Sequence, residues 1–91
     1  MSKAQLVKDI ANATGASQQQ TNDFIKAFTE AVQQSVASGE PVTIVGFGTF
    51  YKTHRKATTG RNPKTGEPIQ IKAADQPKFR AGKTFKEVVN N

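Results

Sequence analysis

The chain has no cysteine and no tryptophan, and only one histidine, one methionine and one tyrosine among its 91 residues. Without cysteine there are no disulfides and no thiolate metal sites, which fits a reducing compartment. A lone His54 cannot assemble a metal site, so neither a metal nor another cofactor is expected. No hydrophobic run reaches membrane-spanning length, and Met1-Ser2-Lys3 leads straight into a polar amphipathic pattern without an apolar leader. These absences predict a soluble protein that stays inside the cell, in the cytoplasm. Asn12-Ala13-Thr14 has the form of a glycosylation acceptor, but without a secretory leader the match is accidental.

A chain of this length makes one domain, and folding buries only about 60 to 65% of the unfolded chain's surface. With disulfides and metals excluded, self-association is the remaining way to bury more. Acidic residues are scarce in one half. Met1–Val45 has three lysines against four acids, a net of −1, whereas Gly46–Asn91 has ten lysines or arginines against three acids, a net of +7. Such an asymmetry points to a polyanionic partner. Nucleic acid is favoured over an anionic membrane, because no basic amphipathic helix accompanies the charge.

Ser2 with Gln5, and Ser17 with Gln20, have the form of capping boxes. Leu6, Val7, Ile10 and Ala11 follow the first at helical spacing; Phe24, Ile25, Phe28, Ala31, Val32 and Val36 follow the second. The pattern predicts a helical hairpin, its first helix ending near Gly15 and its second by about Ser38, before Gly39 and Pro41. From Pro41 the period falls to two. Val42 and Ile44 alternate with Thr43, Gly46-Phe47-Gly48 makes a turn, and Thr49-Phe50-Tyr51 resumes, with the Phe47 ring expected to fold back onto the helices. A long second hairpin is expected over 55–73, and Phe85, Val88 and Val89 mark a short closing helix begun at Gly82. The fold class is therefore α+β: a helical hairpin, an antiparallel sheet with a long protruding arm, and a short C-terminal helix. The body covers 1–54 and 74–91.

The arm's only sizeable apolar side chains are Ile69 and Ile71, so it cannot bury a core and must project. Ordering some nineteen residues costs on the order of 1 to 2 kcal/mol each, so the free arm is expected to be mobile. The six phenylalanines lie outside it. Phe24, Phe28, Val32, Val36, Ile44, Phe47, Phe50, Phe79 and Phe85 are the expected core and dimer interface.

Three enzyme-like signals fail on inspection. Gly46-Phe47-Gly48 begins a dinucleotide fingerprint, but Tyr51 stands where glycine is needed. Gly82-Lys83-Thr84 ends like a phosphate-binding loop, but Pro77 replaces its first glycine. His54 has no nucleophile or acid at motif spacing, so no enzymatic activity is expected. The run from Lys52 to Gly66, in contrast, carries five cations and no acid. Gly60 and Gly66 are expected to let the backbone reverse. Pro63 near the tip is rigid, apolar and without an N–H. It is either a plain turn-former or a wedge that slides between base pairs while Arg61 and Asn62 sit in the minor groove.

Gly46-Phe47-Gly48-Thr49-Phe50, the tip Gly60-Arg61-Asn62-Pro63-Lys64-Thr65-Gly66-Glu67 and the end Pro77-Lys78-Phe79-Arg80-Ala81-Gly82-Lys83 resemble the bacterial HU and integration host factor family over essentially the whole chain, and HU most. That resemblance implies a three-stranded antiparallel sheet and an intertwined dimer. It would be a homodimer, or a heterodimer with a paralogue, that bends and compacts duplex DNA in the nucleoid through the minor groove. Little sequence preference is implied, but a preference for bent, nicked or distorted duplex is. It makes Pro63 the intercalating residue, lines the arm with Arg55 and Arg61, and gives Asn62 the support of the tip. Lys3, Arg80, Lys83 and Lys86 would hold flanking phosphates, with Gly82 opening a helix whose N-terminus favours an anion. Gly46, Lys52, Lys56, Lys64 and Lys72 complete the expected DNA-binding set. Where many HU proteins carry further arginines, this chain has Thr53 and Thr58. The alternatives are a sequence-specific subunit like integration host factor and a polyanion or RNA binder using the arm only as charge.

Overall fold

Helix α1 spans Lys3–Thr14 and helix α2 spans Gln18–Ala37. Their ends are set by local polar chemistry. Ser2 Oγ accepts from the Gln5 amide at 3.2 Å, but the Gln5 side chain reaches forward to Asp9 at 2.9 Å, so this capping box is only half formed. The second is reciprocal: Ser17 Oγ accepts from the Gln20 amide at 3.0 Å, and Gln20 Oε1 accepts from the Ser17 amide at 3.2 Å. At the far end of α2 the Gly39 amide donates to Val36 and the Glu40 amide to Ser35, both at 3.0 Å. This double closure needs a left-handed residue, which Gly39 supplies at φ 93°.

The computed structural model describes residues 1–91, which form two compact units, Met1–Gln34 and Ser35–Asn91. In the first, Val7 and Ala11 of α1 and Thr21 of α2 are buried, and Thr21 Oγ1 donates to the Ser17 carbonyl at 2.9 Å.

The second unit holds the strands β1 (Val42–Ile44), β2 (Gly48–Arg55), β3 (Thr58–Arg61), β4 (Pro68–Ile71) and β5 (Ala74–Ala81), then helix α3 (Lys83–Val89). One antiparallel sheet has the order β1-β2-β5, and β3 pairs with β4 in a second. The α+β class and the three-stranded sheet expected from the sequence are thus present. The third strand comes from a segment whose charge and Pro77 hide it. As an edge strand β5 tolerates a residue without an N–H, and Pro77 pairs with Lys52.

Four rings pack together in this unit: Phe47 lies 5.3 Å, centroid to centroid, from both Phe79 and Phe85, and Phe50 lies 4.8 Å from Phe79. Phe47 therefore folds onto β5 and α3. Gly48 makes that approach possible, because an added Cβ would lie 2.5 Å from both the Arg80 carbonyl oxygen and the Phe79 ring.

Of the nine expected core positions only Val36 is buried in the single chain; Val32, Ile44, Phe50 and Phe85 are half-buried, while Phe24 is 68% exposed. Phe28, Phe47 and Phe79, with Leu6, Val88 and Val89, are exposed too. One chain has too little polypeptide to enclose this many large apolar groups.

Candidate nucleic-acid interface

The arm continues the frame of the sheet. Arg55 pairs with Ala74 at the end of one ladder and Thr58 with Ile71 at the start of the next, so two residues on each side separate the ladders and no bulge shifts the register. The unpaired step is Lys56-Ala57 opposite Lys72-Ala73. There Arg55 donates from Nη2 to the Lys72 carbonyl at 3.0 Å, giving an acceptor outside the ladder a partner.

Strand alternation sorts the cations onto two faces. Thr49, Tyr51, Thr53 and Arg55 of β2 share a face with Arg80, Lys78 and Gln76 of β5. The Arg80 guanidinium lies over the Tyr51 ring, 5.3 Å from its centroid. The other face carries Phe50, Lys52 and His54 with Phe79, Pro77 and Asp75. Lys52 therefore stands apart from Arg55 and Arg80. Its ammonium donates to the Ala37 carbonyl at 2.9 Å and pairs with Asp75 at 3.3 Å. Asp75 also meets His54, Nδ1 to Oδ1, at 2.7 Å. The hydrogen bond to His54, followed by that to Lys52, holds the Asp75 carboxyl below the usual carboxylate range. Lys78, absent from the expected set, joins Arg80 and Arg55 on the first face; counting in twos along β5 finds it once the pairing is known.

Beyond the unpaired step nearly every residue of the arm is exposed, Gly60, Asn62 and Ile71 being half-buried. Gly60 is a correction to the expectation of a reversal there. It lies inside β3, and a Cβ on it would come 3.1 Å from Ile71 Cδ1, so glycine here makes room for an isoleucine. The reversal uses Gly66, at φ 73°. Asn62 organises the tip: its amide donates to the Glu67 carbonyl at 2.9 Å, its carbonyl accepts from Gly66 at 2.7 Å, and its Oδ1 accepts from the Lys64 amide at 2.9 Å. These bonds bracket Pro63 and leave it exposed, between Arg61 and Lys64.

The remaining expected positions lie elsewhere. Gly46 is at φ 83° in the β1–β2 turn. Gly82 precedes the seven-residue α3, and its amide donates to the Phe47 carbonyl at 2.8 Å, so that N–H serves the fold. Lys83 and Lys86 are exposed on α3, Lys83 lying 3.9 Å from Glu87. Lys3, in the first unit, lines an open cleft with Val7, Lys8, Gln18 and Gln19. No three His, Cys, Asp or Glu side chains come together as a metal site, and no helix is long and apolar enough to cross a membrane.

The family model described as bacterial DNA-binding protein matches residues 1–90. The chain belongs to that family. DNA-binding protein HU-beta 2 of Neisseria meningitidis is 44% identical over 90 residues, which cover 99% of each chain. DNA-binding protein HU of Pasteurella multocida is 45% identical over 89 residues, 98% of this chain and 99% of that one. Among solved structures, the Anabaena HU–DNA cocrystal structure superposes with a TM-score of 0.89 at 43% identity, covering 98% of this chain and 97% of that one. The HU resemblance read from the three motifs is thereby shown over the whole chain, arm included.

Proposed function

We propose that this member of the bacterial DNA-binding family is a histone-like architectural protein that binds duplex DNA with little sequence preference and bends it. The observation that carries the reading is the arm: an exposed two-stranded ribbon with a bracketed apolar ring at its tip, cations on both sides of that ring, and a cationic sheet face at its root. The Anabaena HU cocrystal with DNA supports the same ligand. Arg61 and Lys64 bring the tip to the phosphates, and Pro63 enters between base pairs from the minor groove. Unstacking costs a few kcal/mol per step, offset by contacts of Arg55, Lys56, Lys72, Lys78, Arg80, Lys83, Lys86 and Lys3 along the deflected flanks. Its place of action is the nucleoid.

The functional unit is a dimer, as a homodimer or with a paralogue. The supporting observation is the apolar surface that one chain leaves exposed in each unit, at Phe24 and Phe28 in the first and at Phe79, Val88 and Val89 in the second. Two copies covering that surface would present two arms.

Titration onto random linear and nicked duplexes, with sedimentation of the free protein, tests the reading. With about six to ten phosphates neutralised, affinity falls roughly 10³- to 10⁵-fold between 50 and 200 mM salt. A flat salt response or a monomeric species refutes it. A large preference for one sequence would identify a host-factor-like subunit instead.

A further inference from the structure

Asp75 was not marked by any motif, yet its carboxylate meets two side chains of the neighbouring strand β2. Its Oδ1 meets His54 Nδ1 at 2.7 Å and its Oδ2 meets Lys52 Nζ at 3.3 Å. Lys52 Nζ also donates to the Ala37 carbonyl, so a chain of polar contacts runs from the end of α2 to the last rungs of β2 and β5. Only the Arg55–Ala74 rung lies between this cluster and the unpaired step where the arm begins. We infer that Asp75 is a positioning residue that, through Lys52 and His54, fixes the root of the arm, and that protonation of His54 tightens the fixation. The inference rests on the proposed function only in treating the arm as the bending element.

The chemistry gives the direction. Acidification converts a neutral imidazole to imidazolium. Neutral imidazole donates an ordinary hydrogen bond from Nδ1 to the carboxylate, and imidazolium donates a charge-assisted one roughly twice as strong. Asp75 stays ionised in both states, because His54 and Lys52 favour its charged form.

The groups on this face are Lys52 and His54 on β2 and Asp75 on β5, with Lys56 next in alternation on the unpaired step. Asp75 is the single counter-charge among three basic side chains. Removing it leaves like charges at every second residue, so acidification should then loosen the root. The sign of the pH response therefore reports on Asp75.

The test is amide exchange in the free full-length protein at pH 6 and pH 8, corrected for intrinsic rates. The rungs beside the break, Arg55–Ala74 and Thr58–Ile71, are compared with Thr49–Arg80. In the wild type, root protection is about two- to fivefold greater at pH 6, the size of one exposed ion pair. His54→Gln removes the difference, Asp75→Asn removes or reverses it, and Asp75→Glu restores the wild-type sign. A wild-type root indifferent to pH overturns the proposal, as does a wild-type response surviving in Asp75→Asn or His54→Gln. No DNA is present, so this outcome is separate from that of the proposed function: a protein that fails to bend DNA but shows the response sinks only the latter.

Discussion

Arg80→Gln and Lys52→Gln each take the formal net charge from +6 to +5. If charge alone attracted DNA, the two variants would respond to salt alike. The structure separates them. Arg80 stands over Tyr51 on the face shared with Arg55 and Lys78, without a carboxylate partner, whereas the Lys52 ammonium is held by Asp75 and the Ala37 carbonyl on the other face. Each phosphate neutralised adds about 0.9 to the slope of log affinity against log salt. In a dimer, Arg80→Gln lowers that slope by up to about 1.8, so the loss of affinity between 50 and 200 mM shrinks by roughly tenfold. Lys52→Gln leaves the slope within about 0.5 of the wild type. Fluorescence anisotropy on one random duplex at four salt concentrations measures both. Equal slopes for the two variants, or a larger change for Lys52→Gln, would refute the assignment of faces.

Other expected outcomes concern the scaffold. Gly48→Ala drives a methyl group into the Arg80 carbonyl and the Phe79 ring, a collision that backbone cannot relieve cheaply. Overpacking of this kind costs about 1 to 3 kcal/mol, which lowers Tm by roughly 5 to 20 °C in a domain of this size, as read by thermal circular dichroism. Ser17→Ala removes the reciprocal cap of α2 and costs about 1 kcal/mol, a Tm loss of roughly 4 to 8 °C on the same assay. Asp75 has a lowered folded-state pKa, so its contribution to stability is complete above the usual carboxylate range and is lost as the pH falls through it and below. Asp75→Asn therefore narrows the Tm difference between pH 6 and pH 3, and an unchanged difference would contradict the link.

Much of the fold is legible because local chemistry is unambiguous. Ser17 with Gln20, Gly39 before Pro41, and Gly15 at a left-handed φ of 76° terminate helices by hydrogen bonds that short sequence patterns encode. β5 is hidden, since Asp75, Pro77, Lys78 and Arg80 suit no apolar alternation, and the strand exists because β2 offers it a partner. Gly60 misleads for a related reason: its glycine answers to Ile71 across the ribbon, a contact that composition does not display. The tip motif gives the arm, Pro63 and a supporting Asn62 directly, but not the hydrogen bonds to Lys64, Gly66 and Glu67 by which Asn62 brackets the ring. Lys52 counts with the other cations in a charge run, although it lies an odd number of residues from Arg55 and so on the opposite face. The phenylalanines are readable as apolar payload; that Phe24 and Phe28 stay exposed follows only from how little chain there is to cover them.

Energy transfer between dyes at the two ends of a duplex, with wild type and Pro63→Ala compared at saturating protein, tests the Pro63 wedge most directly. The wild type is predicted to shorten the end-to-end distance, and Pro63→Ala, still bound, to give back most of the shortening. Bending that survives intact in Pro63→Ala, or a wild-type complex whose ends stay as far apart as in free DNA, would contradict it.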